Sequence, residues 1–353
     1  MDTLLSPYQL KGHTLKNRLV VPPMVSFGYG RADGAVTDEQ AAHYDCLAAG
    51  GSGLIIAEAC CVDPAGRLDA NQIGIWEDSQ IAGLSRLARA IHARGAAALV
   101  QIHHAGARSV KEVTSHPLAP CGSTLDDGRM AKEMTILDIR VVQEAFAAAA
   151  RRACQAGFDG VEFHAAHGYL ISQFLSDRSN TRQDAYGADR LLFLRETLTR
   201  VKEAVPDKFV VGVRMGGNDP DLAAAVAYAK GLERAGADYL HVSTGCKDYR
   251  PADLVYDEGV PYNWIVRTGI VIKRNVHIPV VVVNGIHTPE QAQYLVEEGL
   301  ADLVAVGKGM LVDSAWADKS ALRQPVTLCA RCMRCQCFTD LRKCVRRREQ
   351  APA

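Results

Sequence analysis

Two histidines and a tyrosine, His164, His167 and Tyr169, directly follow a short apolar run at Gly160–Phe163. The run has the composition of a buried strand, and proton-active side chains at the C-terminal end of a barrel strand are typical of a functional site. A single histidine in this place could equally be a core residue bonded to a backbone carbonyl. Because three such side chains occur together, we interpret them as candidate catalytic residues.

The other apolar runs predict the fold that presents this cluster. Eight short buried strands are predicted, at Leu19–Pro22, Gly53–Ala57, Ala97–Ile102, Gly160–Phe163, Val210–Arg214, Tyr239–Ser243, Val280–Asn284 and Leu303–Val306. Helical patterns lie between them, at Thr37–Gly50, Ser79–Arg94, Asp138–Ala156, Asp189–Val205, Asp221–Ala235, Tyr262–Asn275 and Pro289–Glu298. This alternation indicates a parallel sheet covered by helices, and eight units fit an α/β fold of the (β/α)8 TIM barrel type. An open doubly wound sheet is the alternative, but the glycine-rich fingerprint that it would carry after the first strand is missing.

The segment before the first strand and the overall composition add further expectations. Residues 4 to 18 are polar and predict a short hairpin or lid. The 353 residues are 48% hydrophobic and carry no net charge, which argues against nucleic acid as a partner. No apolar run is long enough to span a membrane, and the N-terminus lacks a signal-peptide core, so we expect a cytoplasmic protein without a membrane partner. We also expect a homo-oligomer that acts on a small molecule.

Glycine-containing turns follow the seventh and eighth predicted strands, at Asn284-Gly285 and Gly307-Lys308. Backbone N–H groups in such turns bind phosphate, and barrels often hold a phosphate group at this place. Either turn taken singly is more simply explained as a tight connection between a strand and a helix. Two of them side by side, with the positive charge of Lys308, favour a phosphate site.

Five of the eleven cysteines crowd into residues 329–344, and the other six are interpreted as reduced thiols. Four of the five have the spacing of thiolate ligands to a 4Fe–4S cluster or a structural zinc ion, with metal-free thiols as a third alternative: Cys329, Cys332, Cys335 and Cys344. Cys337 is a spare that could replace one of them. We therefore predict a barrel domain over residues 1–318 and a cysteine-rich metal-binding or iron–sulfur tail over residues 319–353.

The motif around the histidines resembles the old yellow enzyme family of FMN-dependent oxidoreductases. It reads His-Ala-Ala-His-Gly-Tyr-Leu-Ile-Ser-Gln-Phe-Leu-Ser from His164, and Asn180, Arg182, Asp184 and Tyr186 follow. The resemblance covers about residues 4 to 312 and implies FMN as cofactor, with NADH or NADPH as the electron donor. Iron–sulfur members of the family, such as 2,4-dienoyl-CoA reductase and trimethylamine dehydrogenase, carry a 4Fe–4S cluster directly after the barrel. In that case an electron-transfer protein is a further partner.

The resemblance also implies which residues contact FMN. They are Pro23, Met24, Val25, Ala59, Gln101 and Arg214 at the flavin ring, and Asn284, Gly285, Gly307 and Lys308 at the phosphate. A cation at position 214 has a physical purpose, because negative charge develops near N1 and O2 of the ring when hydride arrives. The family commonly has arginine where this chain has Lys308, which keeps the charge but loses the bidentate geometry.

For the chemistry, the resemblance implies that His164 and His167 donate hydrogen bonds to a substrate carbonyl while Tyr169 donates a proton to the α-carbon. Phe27 and Tyr29 are the aromatic candidates to line the substrate side. The implied activity is hydride transfer from flavin N5 to the C=C bond of a carbonyl-conjugated alkene.

Two alternative activities remain open on the sequence. An oxidative member of the same family, such as an amine dehydrogenase or demethylase, is disfavoured by the complete set of two histidines and a tyrosine. A barrel of another class, such as an aldolase or isomerase, would need a lysine or a carboxylate cluster at the strand ends, where Glu58 is the one carboxylate.

Overall fold

The computed structural model describes residues 3–246, 249–255 and 261–350, and its centre is a closed barrel of eight parallel strands. In chain order the strands are β1 (Leu19–Val21), β2 (Leu54–Cys61), β3 (Ala97–His103), β4 (Gly160–Ala165), β5 (Val210–Gly216), β6 (Tyr239–Ser243), β7 (Val280–Val283) and β8 (Leu303–Ala305). Each strand pairs with the next one along the chain, and β8 pairs with β1. The predicted (β/α)8 barrel is confirmed.

A helix follows each barrel strand before the next strand begins or the barrel ends. These helices are α1 (Asp38–Ala49), α2 (Ile81–His92), α3 (Ile136–Gln155), α4 (Leu192–Ala204), α5 (Leu222–Arg234), α6 (Trp264–Lys273), α7 (Pro289–Glu297) and α8 (Gly307–Val312). Further short helices lie at Leu170–Leu175, Ala185–Ala188, Trp316–Ala321 and Val345–Gln350. Among the residues that the structure describes, no helix is both long enough and apolar enough to cross a membrane.

Local sequence signals explain where the helices start and stop. The Thr37 side chain accepts a hydrogen bond from the N–H of Gln40, and the Gln40 side chain accepts one from the N–H of Thr37, so α1 begins with a capping box. Gly95 and Gly157 follow α2 and α3 with φ of 71° and 89°, a left-handed conformation that is open to glycine and ends a helix.

A hairpin of Tyr8–Leu10 and His13–Leu15 precedes the barrel, as predicted. Its buried Leu10 and Leu15 pack with residues near the N-terminal ends of the barrel strands, among them Leu54. The hairpin therefore closes the N-terminal end of the barrel, and it is not a lid over the opposite end, where the strands finish.

Two features at the C-terminal end of the barrel, which we call the mouth, were not predicted. Strand β2 continues to Cys61, with an irregular register between Ala57 and Cys60, a kind of bulge that is common beside functional sites. A small sheet of Leu118–Ala119, Ser123–Thr124 and Met130–Glu133 lies in the connection between β3 and α3.

The predicted tail packs on the mouth of the barrel. Leu341 is 1% exposed, and its N–H donates to the carbonyl oxygen of Phe27 at 3.0 Å. The Arg342 guanidinium donates to the carbonyl oxygen of Gly28 at 3.1 Å. A side chain at position 28 would lie 2.7 Å from Cγ of Asp340, so the glycine allows this close approach. The tail therefore contacts the loop after β1, while the domain boundary at residue 318 stays a prediction.

Candidate active site

The three candidate catalytic side chains converge at the mouth, where β4 ends. The centroid of the His164 ring lies 5.0 Å from that of His167 and 4.8 Å from that of Tyr169. The ring planes meet at 79° and 86°, so the rings contact one another edge to face. The structure thus brings together the three residues that the sequence singled out.

A left-handed turn produces this convergence. His167 has φ of 59° and Gly168 has φ of 71°. Such a conformation costs a residue other than glycine roughly 1 kcal/mol or more, and two hydrogen bonds hold it here. The N–H of His167 donates to the carbonyl of Thr244, and the carbonyl of His167 accepts from Nη1 of Arg108, both at 2.9 Å.

The surroundings keep both histidines neutral and the tyrosine protonated. Burial is the main cause that lowers the pKa of His164 and of His167 well below the usual range, and Arg214 lowers both further. Burial also raises the pKa of Tyr169, although Arg108 and Arg214 oppose it. A neutral imidazole has one N–H donor and one acceptor nitrogen, so the two rings can present two donors to one oxygen atom.

Ser243, at the end of β6, influences which nitrogen of His167 carries the proton. Its Oγ lies 2.8 Å from Nε2 of His167 and accepts from Nη2 of Arg214 at 3.5 Å. Because the guanidinium can only donate, the serine O–H is free to donate to Nε2, which favours the proton on Nδ1 of His167. The sequence indicated that Ser243 ends a strand but assigned it no role.

Two further residues at the site were missed by the sequence reasoning. The His103 ring lies 4.5 Å from the Tyr169 ring and 5.1 Å from the His164 ring, centroid to centroid. Cζ of Arg108 lies 6.0 Å from the centroid of the Tyr169 ring. Both residues belong to the segment Gln-Ile-His-His-Ala-Gly-Ala-Arg at the end of β3, whose two histidines were an available signal.

The predicted flavin-contacting residues Pro23, Met24 and Val25 lie in the loop after β1, and a buried carboxyl group anchors this loop. The N–H of Ser26 donates to Oε2 of Glu58 at 3.1 Å, and the Ser26 hydroxyl donates to Oε1 of Glu58. Burial raises the pKa of Glu58 to about 7. Because Glu58 is 1% exposed and bonded to the scaffold, it is not a free carboxylate at the mouth.

Ala59, Gln101 and Arg214 lie near the C-terminal ends of β2, β3 and β5, and all three are buried. The carbonyl of Ala59 already accepts a hydrogen bond from Gln72 at 2.6 Å. Nε of Arg214 is buried and has no hydrogen-bond partner within the described part of the chain. A buried N–H group of a guanidinium without a protein partner is a place for a polar ligand, and this fits the pyrimidine edge of a flavin ring.

The two turns predicted to bind phosphate lie side by side, after the adjacent strands β7 and β8. Asn284 and Gly285 have φ of 88° and 68°, which leaves their N–H groups outside the regular ladder. A Cβ atom on Gly307 would lie 3.3 Å from Sδ of Met24, so the second turn also adjoins the loop after β1. Lys308 is exposed beside it.

Two further basic groups surround Lys308. Burial lowers the pKa of His287, and the positive charges of Arg331 and Lys308 lower it further. Arg331 comes from the tail, and sequence reasoning did not connect it with this place. The cations and the left-handed turn are a donor set that suits a phosphate dianion, so the residues present fit FMN.

The sequence comparison decides the family. Residues 3–325 match the model of the NADH:flavin oxidoreductase / NADH oxidase family. The chain belongs to this family. It is accordingly an FMN-dependent oxidoreductase related to old yellow enzyme.

Individual relatives agree with this assignment. The NADPH dehydrogenase of Geobacillus thermodenitrificans is 38% identical over 324 residues, which are 90% of this chain and 93% of that protein. The NADH oxidase of Thermoanaerobacter brockii is 38% identical over 331 residues, but the chain spans only 50% of that protein's length. The old yellow enzyme homologue from Zymomonas mobilis has a similar structure, with a TM-score of 0.80, 25% identity, and coverage of 96% of this chain and 99% of that one.

Phe27 and Tyr29, the predicted substrate-side aromatics, contact the tail of this family member. The Phe27 ring lies 6.5 Å from the ring of Phe338, edge to face. Cζ of Arg342 lies 5.6 Å from the centroid of the Tyr29 ring. The structure thus shows that the tail covers both aromatics, and their role toward a substrate stays a prediction.

The predicted metal centre in the tail is not supported. Five free cysteines line one cavity of about 40 Å³: Cys329, Cys332, Cys335, Cys337 and Cys344. Within the ranges that the structure describes, no group of three or more His, Cys, Asp or Glu side chains could hold a metal ion. Burial, together with the neighbouring Cys344 and Cys335, raises the pKa of Cys337 to about 12, while Cys332 is exposed. All five are free thiols in this structure, and the predicted 4Fe–4S or zinc ligands Cys329, Cys332, Cys335 and Cys344 stay a prediction without support.

Proposed function

We propose that the protein reduces the C=C bond of a carbonyl-conjugated alkene, with NADH or NADPH as the electron donor. The observation that carries the proposal is the convergence of His164, His167 and Tyr169 at the barrel mouth, with the buried Arg214 beside them. Family membership supports flavin chemistry, and the names NADPH dehydrogenase and NADH oxidase support a nicotinamide donor.

FMN, when bound, supplies the hydride-transfer chemistry. The residues that would hold it are Pro23, Met24, Val25, Ala59, Gln101, Arg214, Asn284, Gly285, Gly307 and Lys308. They form a continuous set along the mouth, from the loop after β1 to the turns after β7 and β8. The proposal takes NADH or NADPH as the direct donor to the flavin, in keeping with the names of the relatives.

His164 and His167 act on the substrate carbonyl. Each neutral ring has one N–H, and Nδ1 of His164 is buried without a partner among the described residues. Two N–H groups that converge on one oxygen atom polarise the carbonyl and leave the conjugated β-carbon electron-poor. A permanently charged pair would cost more to bury, so neutral donors suit this enclosed place.

Tyr169 supplies the proton. Its phenol lies against both His164 and His103, and burial raises its pKa, so it carries a proton at neutral pH. The phenol donates this proton to the α-carbon of the substrate and regains one from solvent. Until a new proton arrives, Tyr169 is a phenolate, and the positive charge of Arg108 near the ring stabilises it.

The test uses FMN-loaded protein under anaerobic conditions, with 2-cyclohexenone as the probe alkene and NADH or NADPH as donor. We expect conversion to cyclohexanone, and a loss of at least about a hundredfold in the rate of alkene reduction for the variant H164A/H167A. The variant H13A, in the hairpin at the other end of the barrel, is the control and should keep the rate. Oxidation of NADPH by oxygen without any anaerobic alkene reduction would overturn the proposal in favour of an oxidase.

A further inference from the structure

A buried carboxylate, Glu162, lies inside the barrel one layer below the candidate active site. It precedes His164 by two residues on β4, so both side chains point to the barrel interior. Glu162 is 0% exposed. Side chains in this part of a barrel are normally apolar, and a buried charge is costly unless it is paired and hydrogen-bonded.

Three side chains donate to this carboxylate, one from the adjacent strand β3 and two from β6, on the far side of β5. Nε2 of Gln101 donates to Oε1 at 2.8 Å, and the Tyr239 hydroxyl and Nδ1 of His241 donate to Oε2 at 2.9 Å. Gly212 allows this arrangement, because a Cβ atom there would lie 2.0 Å from the Tyr239 ring.

The carboxylate is ionised. Burial would raise the pKa of Glu162, but His241, the Arg214 guanidinium and the Tyr239 hydroxyl together bring it below the usual value. Burial lowers the pKa of His241, so this ring is neutral and its single proton lies on Nδ1, toward the carboxylate. The layer therefore carries one negative charge, close to the positive charge of Arg214.

The carboxylate determines how Gln101 presents its amide. Since Glu162 can only accept hydrogen bonds, the NH2 group of Gln101 must face it, and the amide oxygen is the end left for a ligand. The imide N–H of a flavin ring is a donor and matches that oxygen. If the amide of Gln101 were reversed, its oxygen would face the carboxylate of Glu162, and its NH2 group would face the N–H of the flavin ring.

We propose that Glu162 is a positioning residue that orients Gln101 and offsets the charge of Arg214, and that it thereby sets the affinity and the reduction potential of the bound FMN. This inference rests on the proposed function only in that FMN binds at the barrel mouth, and it does not depend on which alkene is the substrate.

The test is the variant E162Q, which has the same shape without the charge, measured as FMN-loaded protein. We expect the midpoint potential of the flavin to become more positive, because the cation of Arg214 is no longer opposed. We also expect FMN to dissociate roughly threefold to tenfold more readily, because two NH2 groups now compete at Gln101. The variant Y239F is the matched control: it removes one neutral donor and keeps the carboxylate, so the potential should not rise.

A second variant, Q101E/E162Q, exchanges the two side chains and restores one donor and one acceptor between them. Its midpoint potential should return to or below the wild-type value, since a carboxylate is again present in the layer. The inference is overturned if E162Q binds FMN with the wild-type potential, or if the exchange variant stays as positive as E162Q. Should E162Q fail to fold, which circular dichroism would show, the exchange variant is compared with the wild type, and a midpoint potential more positive than the wild-type value overturns the inference. Wild-type protein that binds no FMN would contradict the proposed function, whereas FMN-loaded protein that leaves the alkene unreduced contradicts only the substrate assignment and still permits this test.

Discussion

The chemistry of single residues at the mouth depends on neutral groups held beside a permanent cation. Burial prevents His164 and His167 from taking up a proton, and it prevents Tyr169 from losing one. Arg214 reinforces the neutrality of both imidazoles. Each side chain therefore has a defined donor at neutral pH, which is the state that the proposed polarisation and protonation need.

Replacement of Tyr169 by phenylalanine separates the two halves of the proposed reaction. We expect Y169F to lower the rate of alkene reduction by about a hundredfold or more, because the proton donor is lost while the two histidines still hold the carbonyl. Reduction of the enzyme by NADPH should change little, since no proton is delivered to a carbon atom in that half. Stopped-flow measurement of each half separately checks this, and an equal loss in both halves would point to disruption of the FMN site.

Glu58 predicts a pH dependence of stability. Its pKa rises from 4.5 to about 7 on folding, so the folded protein binds the proton more tightly. The stabilisation is therefore complete below pH 4.5 and is lost as the pH rises through about 7, a difference of about 3 kcal/mol in the free energy of unfolding. Urea unfolding at pH 5 and pH 8 should show this loss in the wild type relative to E58Q. D313N is the control, because the pKa of Asp313 is lowered and its contribution is constant over this range.

At the scale of elements, side chains fill the interior of the barrel in layers. A large side chain on one strand therefore needs a small residue on the strand beside it. Gly212 on β5 lies beside Tyr239 on β6 and Glu162 on β4, and it has no side chain. The absence of a side chain lets the fully buried Tyr239 reach the carboxylate. The left-handed turn at His167 is a second local feature with a long-range effect, because it directs the chain after β4 toward the candidate site.

The substitution G212A tests this packing. The added methyl group would lie 2.0 Å from Cε1 of Tyr239, whose side chain is 0% exposed and hydrogen-bonded to Glu162. We expect a loss of about 3 kcal/mol in the free energy of unfolding, measured by urea titration. G122A is the control, since a Cβ atom there would meet nothing closer than 3.7 Å. A near-neutral G212A would mean that the layer repacks easily.

At the scale of the whole molecule, segments from the two ends of the described chain pack on the two ends of the barrel. The hairpin fills the N-terminal end with Leu10 and Leu15. The tail packs on the mouth through Leu341, and its Arg331 adds positive charge near Lys308. The tail therefore contributes to the surroundings of the candidate site through packing and charge.

Truncation of Leu341 tests how firmly the tail is docked. L341A removes a side chain that is 1% exposed, and we expect it to weaken docking by about 2–4 kcal/mol. Limited proteolysis should then cut the tail faster than in the wild type while the barrel stays intact. L328A, at a position that is 50% exposed, is the matched control and should be cut at the wild-type rate. Equal rates for both variants would show that Leu341 does not hold the tail.

The fold and the centre of the candidate site could be read from local pattern. Continuous apolar runs alternate with helical periodicity because a parallel sheet is buried on both faces, and capping residues such as Thr37 act over a few positions. The residue types of His164, His167 and Tyr169 lie in one short segment, so their proximity required no knowledge of distant contacts. The resemblance supplied the remaining residues at the flavin ring.

Long-range packing determined the surroundings of the candidate site and the position of the tail. Glu162, His103 and Ser243 gained their positions beside the site from pairing between strands that are far apart in the sequence, and no local pattern marks that pairing. The cysteines differ, because their regular spacing predicted metal ligands, whereas the described part of the tail forms no group that could hold a metal ion. Patterning along the chain thus establishes the barrel and its reactive motif, since both arise from short-range periodicity and hydrophobic burial. The charge balance below the mouth and the docking of the tail follow from contacts that exist only once the barrel has closed.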